Sequence, residues 1–97
     1  MIVLIAKYTC KPGTGNDVLE TLKKMAPLVK QEEPGCKMYH AAQSRDNPDY
    51  ILLVEHYVDQ DAVENHRNTP HYQEHIAGTI GPMLEKKEVE FYDLIIE

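Results

Sequence analysis

Every even-numbered residue from Ile2 to Cys10 is apolar: Ile2, Leu4, Ala6, Tyr8 and Cys10. The odd positions pass from Val3 and Ile5 to Lys7, Thr9 and Lys11. A period of two predicts a β-strand with one face fully buried, because alternate side chains of a strand leave opposite faces. Such a strand needs partners on both sides and a covering layer, and the rest of the chain reads as supplying them. Lys11-Pro12-Gly13 breaks the strand, and Thr14-Gly15-Asn16-Asp17 has the form of a capping box at a helix start. Val18, Leu22, Met25 and Val29 then repeat at helical spacing, with Pro27 expected to bend the helix and Glu33-Pro34-Gly35 to stop it.

Cys36 to Ser44 reads as a second strand, and the turn formers Arg45-Asp46-Asn47-Pro48-Asp49 join it as a hairpin to a third, Tyr50 to Tyr57. Asp59 can cap a short helix through about Asn65, and Thr69-Pro70 starts another, with Tyr72, Ile76, Ile80 and Met83 on its apolar face. Glu88 to Ile96 is the last expected strand. The order β-α-β-β-α-α-β predicts an α+β, ferredoxin-like split βαβ sandwich, with helices on one face of a four-stranded antiparallel sheet. The second face is not cleanly polar: Val3 and Ile5 lie opposite Leu4, and the third strand is apolar on both sides from Ile51 to Val54. With 97 residues in a single expected domain, 1–97, the chain has little core of its own. Size and doubly apolar strands together predict a homodimer whose sheets face each other.

Charge narrows the partners. Ten Lys and Arg against 16 Asp and Glu give a net charge of −6, without a basic cluster, so a nucleic-acid partner is disfavoured. The apolar opening Met1–Ala6 ends at Lys7, far short of a membrane span, and no secretory cleavage pattern follows. Cys10 and Cys36, without C-x-x-C spacing, read as free thiols in a reducing cytoplasm. Gly-rich nucleotide loops are absent, so cofactors held that way are not expected.

Four short stretches, taken in order, resemble the antibiotic biosynthesis monooxygenase family of dimeric α+β barrel proteins. They are Lys11-Pro12-Gly13, Glu33-Pro34-Gly35-Cys36, Glu55-His56-Tyr57-Val58-Asp59, and His66-Arg67-Asn68-Thr69-Pro70-His71-Tyr72. The resemblance implies a small-ligand pocket between sheet and helices in each protomer. It further implies cofactor-free oxygen chemistry on a quinol or related phenol. One branch of the family degrades haem with an asparagine, a tryptophan and a histidine; Ala6, His66 and Ile76 stand in those places, so that chemistry is not expected. Another branch processes a phosphorylated signal without oxygen, and isomerase or lyase chemistry on such a carbonyl metabolite stays open, with Lys7 or Arg67 available to pair with a phosphate. A non-catalytic ligand-binding module is the third reading.

His66 ends the short helix and matches the family's recurrent histidine, which makes it the candidate catalytic residue: a neutral imidazole titrates in the range that suits a general base. Its bland alternative is a bridge between the two helical pieces. Glu55, His71, Tyr72 and His40 are the candidate pocket residues. Glu55 sits in an apolar run, where an unpaired carboxylate is costly, unless a salt bridge or the strand's wet end satisfies it. His71 and His75 share a helical face that could simply be solvated, and without a His-Glu-x-x-His pattern no metal site is expected. Tyr72 reads as core or pocket. Tyr39 and His40 point to opposite faces of the second strand, so at most one enters a given pocket. Cys36 reads as structural.

Overall fold

The computed structural model describes all residues from Met1 to Glu97. Its elements are β1 (Ile2–Cys10), α1 (Gly15–Glu32), β2 (Cys36–Gln43), β3 (Tyr50–Tyr57), α2 (Gln60–Asn68), α3 (Tyr72–Ile80), a short 3-10 turn (Gly81–Met83) and β4 (Leu84–Asp93). The strands form one antiparallel sheet in the order β2-β3-β1-β4, which is the ferredoxin-like arrangement. Leu4, Ala6, Tyr8 and Cys10 turn to the helices and are buried there with Val18, Leu22, Met25 and Val29 of α1.

The N-terminus of α1 is capped from a distance. The Thr14 hydroxyl is turned towards the carbonyls of Lys11 and Met83, to which it donates, and it makes no capping hydrogen bond to the helix. Its place is taken by Asp49, whose carboxylate accepts the N–H groups of Gly13 and Gly15. The same loop explains the glycine at position 15: a Cβ there would lie 2.0 Å from the Pro48 carbonyl oxygen. α1 runs past Pro27 to Glu32. β4 starts four residues before its expected position, because Leu84 already pairs with Cys10 across a bulge, and it ends at Asp93.

α2 is capped as expected, the Asp59 carboxylate accepting from the Ala62 N–H, and the helix runs on to Asn68. Thr69 caps the next element by accepting the Tyr72 N–H, while its own hydroxyl donates to the His66 carbonyl. α3 differs from expectation in its winding. It is a π-helix, in which Gly81 N–H reaches back five residues to the Ile76 carbonyl. The apolar spacing Tyr72, Ile76, Ile80 holds one face to the sheet in this wider winding, with Ile76 and Ile80 buried.

Register sorts the sheet into rows. On the helix side, Tyr39, Glu55, Leu4 and Phe91 lie side by side, and Tyr8 pairs with Lys87. On the other side, Ile5 pairs with Val54 and Val3 with Tyr92. This second face is uncovered: Leu52 is 37% and Tyr92 52% exposed.

Candidate active site

α1 ends one residue before Glu33, whose N–H still donates to the Val29 carbonyl while its side chain turns under α2 and α3. The carboxylate is only 3% exposed, and each of its oxygens takes one imidazole. His66 Nδ1 is 2.7 Å from Oε1 and His71 Nε2 is 2.6 Å from Oε2. Burial pushes the Glu33 carboxyl up, but the hydrogen bonds from His66 and His71 outweigh it and hold the group below its ordinary value. An ionised carboxylate only accepts, so both ring nitrogens that face it carry protons. His66 is thereby fixed with Nδ1 protonated, and Nε2 is the ring nitrogen that does not face Glu33.

The ring of His66 is 3% exposed and ringed by phenols: the Tyr39, Tyr57 and Tyr72 centroids lie 5.8, 5.4 and 5.1 Å away, Tyr72 edge-on. Nε2 lies 3.7 Å from Glu55 Oε1, beyond hydrogen-bond range. No fully buried side-chain nitrogen or oxygen lacks a partner, so Nε2 opens onto the adjoining cavity. Glu55 Oε1 accepts from the Tyr57 hydroxyl at 2.5 Å. Burial dominates at Glu55 and raises its carboxyl above the usual value, against the Tyr57 hydrogen bond, which lowers it. Burial, reinforced by Glu55, also raises the Tyr8, Tyr39 and Tyr57 phenols, which stay neutral O–H groups.

The cavity holds about 30 Å³ and is lined by Tyr8, Tyr39, Glu55, His66, Tyr72 and Ile76, with the exposed side chains of Arg67 and Lys87 on its solvent side. Lys87 Nζ stands 3.4 Å from the Tyr72 hydroxyl. A space of this size admits about one water molecule.

Of the residues singled out from sequence, His66, Glu55 and Tyr72 meet at this cavity. His71 is no solvated histidine: it is buried behind Glu33, where it supports the site without lining it. His75 is half-buried, with Nε2 4.0 Å from the Glu74 carboxylate. His40 lies elsewhere. It is exposed and pairs across the sheet with Val54, on the face turned from the helices, and Tyr39 occupies the cavity side instead. Lys7 also faces away and pairs with Glu90 at 3.6 Å. Burial, then the Glu33 and Glu55 charges, push the Cys36 thiol up to about 11, so it stays protonated. No three His, Cys, Asp or Glu side chains are grouped to hold a metal ion. Glu33, Tyr57 and Lys87 escaped sequence reasoning; Glu33 stood in a Glu-Pro-Gly stop signal that carries no hint of two distant imidazoles.

The fold agrees with the comparisons to known proteins. The chain belongs to the antibiotic biosynthesis monooxygenase family, whose sequence profile matches residues 1–78. Among named relatives, the protein called "Putative monooxygenase Rv0793" of Mycobacterium tuberculosis is 27% identical over 85 residues, 88% of this chain and 81% of the relative. Its solved structure superposes with a TM-score of 0.86 over 99% of this chain and 96% of the other. The crystal structure of protein SO0527 from Shewanella oneidensis is 28% identical with a TM-score of 0.85, covering 94% of this chain and 87% of that one. At 22% identity, a crystal structure described as an antibiotic biosynthesis monooxygenase shares the fold, with a TM-score of 0.88 over 99% of this chain and 100% of that one.

Proposed function

We propose that this protein is a cofactor-independent monooxygenase that acts on a quinol or a related small phenol, with His66 as general base. The observation that carries the reading is the tautomer of His66: Glu33 holds Nδ1–H, and Nε2 faces a cavity walled by phenols and Ile76. A quinol hydroxyl at that nitrogen gives up its proton, and the phenolate is electron-rich enough to reduce O₂. Oxygen adds to the ring carbon beside the phenolate as a hydroperoxide, which loses water to leave a carbonyl. The quinol supplies both electrons that convert the second oxygen atom to water, so quinol and O₂ yield a hydroxyquinone and water. Entry of an aromatic ring requires Tyr72 and Lys87 to swing outward, since the cavity of about 30 Å³ is well below the volume of ordinary ligand pockets.

The homodimer belongs to the same reading. Val3, Ile5, Leu52 and Val54 leave an apolar sheet face uncovered, and a second copy would supply the missing layer. The two free thiols suit a reducing cytoplasm.

One observation favours a second reading. Glu55, whose raised carboxyl can carry a proton, stands across from a basic nitrogen, and such a pair can enolise a carbonyl without oxygen. An oxygen electrode separates the two. The monooxygenase reading expects quinol-dependent O₂ uptake, one labelled oxygen atom in the product, and a loss of about 10²–10⁴-fold in rate for His66→Ala. Turnover of a keto substrate with no O₂ uptake across quinols and catechols would sink it in favour of the isomerase.

A further inference from the structure

Two cations, Lys87 and Arg67, flank the cavity without a direct ion pair, although the Lys87 charge is felt at Glu55, where it works against the burial that raises the carboxyl. Lys7, Lys23 and Lys86 each form an ion pair with a glutamate. Lys87 and Arg67 form none, as is also true of Lys11, Lys24, Lys30, Lys37 and Arg45, but of these unpaired cations only Lys87 and Arg67 line the cavity. Both are instead held over aromatic rings. Lys87 Nζ lies 5.7 Å from the centroids of Tyr8 and Tyr72, and the Arg67 guanidinium lies 5.6 Å from that of Phe91. The pleat of β4 enforces the separation. Lys87 and Phe91 stand opposite Tyr8 and Leu4 on the helix side, whereas Glu88 and Glu90 stand opposite Lys7 and Ile5 on the other.

We propose that Lys87 and Arg67 form an anion-binding pair at the mouth of the His66 cavity, and that the substrate is a small phenol or enol bearing a carboxylate or phosphate group. This deepens the reading above and rests on the His66 cavity being the substrate site. The substrate hydroxyl points inward to Nε2 of His66, and the anionic substituent points outward to the two cations. The aromatic rings restrain the two cationic side chains before binding, and of the three Lys87 N–H donors one reaches the Tyr72 hydroxyl, which leaves the others for an anion. A positive mouth on an acidic protein also rejects the wrong orientation, since an anion pushed inward would meet Glu55. Carboxylate and phosphate offer the same oxygens to these donors, so the two sources are distinguished by experiment.

The test is calorimetric titration of the whole protein with three probes: hydroquinone, 2,5-dihydroxybenzoate and 4-hydroxyphenyl phosphate. At least one charged probe is expected to bind about tenfold or more tightly than hydroquinone, and the tighter of the two identifies the substituent. The advantage shrinks as salt is raised. Lys87→Met with Arg67→Gln, both at exposed positions, brings the charged-to-neutral affinity ratio down to about one, whatever the change in hydroquinone affinity itself, and leaves the circular dichroism spectrum in place. Absence of any binding, equal affinity for all three probes, or a preference that survives in the double variant overturns the anion pair. His66→Ala keeps the preference, so a protein that discriminates the probes but consumes no oxygen loses the monooxygenase reading and retains this one.

Discussion

Glu33 and His71 stand 38 residues apart in the chain and 2.6 Å apart in the fold. The carboxylate between His71 and His66 joins the end of α1 to the two helical pieces that follow β3. Removing it leaves two buried imidazoles without their acceptor. Glu33→Ala is expected to cost about 2–4 kcal/mol in urea denaturation, with His71→Ala costing less, because Glu33 then keeps one of its two partners.

Acid stability follows from the same carboxylate. The Glu33 carboxyl is lowered from the ordinary value of 4.5, so its contribution is complete above that value and is lost as pH falls through the folded one. Glu55 is raised and works the other way: between 4.5 and its folded value the unfolded chain ionises first, and stability declines as pH rises. Thermal melts from pH 3 to 7 check both. Glu33→Gln is expected to flatten the acid limb, and Glu55→Gln to remove the decline above 4.5.

Tyr57→Phe deletes the hydroxyl that donates to Glu55 at 2.5 Å. The variant is expected to lose roughly 1–3 kcal/mol. It also raises the Glu55 carboxyl further, since that hydrogen bond is the strongest influence lowering it. Carboxyl-carbon NMR titration reads the direction, and an unchanged or lower Glu55 midpoint would contradict the assignment.

Gly15 and Gly13 separate two kinds of glycine requirement. Gly15→Ala drives a methyl into the Pro48 carbonyl and is expected to cost about 3 kcal/mol or more, unless the loop moves. Gly13, at φ 85° with open space around it, is strained only in its backbone, and Gly13→Ala is expected to cost about 1–2 kcal/mol. Urea midpoints that rank the pair in reverse would rule out the close approach of the Pro48 loop.

The uncovered sheet face gives the assembly prediction. Val54→Glu and Ile5→Lys place a charge at neighbouring positions of that face without touching the helix side. Sedimentation is expected to find twice 11.1 kDa for the parent chain and a monomer for either variant. A parent that sediments as a monomer at all concentrations would dispose of the homodimer.

Fold and site differed in how much of them could be read from sequence, for reasons visible at single residues. Strands, helices and the Asp59 and Thr69 caps depend on neighbours within a few positions, and pattern reasoning reached them. The cap of α1 did not yield, because Asp49 comes from 34 residues beyond Gly15. The choice between Tyr39 and His40 turns on a register irregularity between Cys36 and Met38, which decides the parity of the rest of β2 and leaves no mark in the sequence pattern. His66 was legible through its neighbours Thr69, Pro70 and His71. Its partner Glu33 was not, since a glutamate before Pro-Gly looks like any helix stop until the chain has folded back over it.

That position has a consequence for how such a chain can change over time. The residue following the last turn of α1 also orients the imidazole in the cavity, so folding and the chemistry proposed for His66 rest on one and the same side chain. Drift at position 33 meets two penalties at once, whereas the walls at Tyr8, Tyr39 and Tyr72 can be altered with the central carboxylate kept. New specificities in a protein built this way arise by repainting the walls around an unmoved pivot.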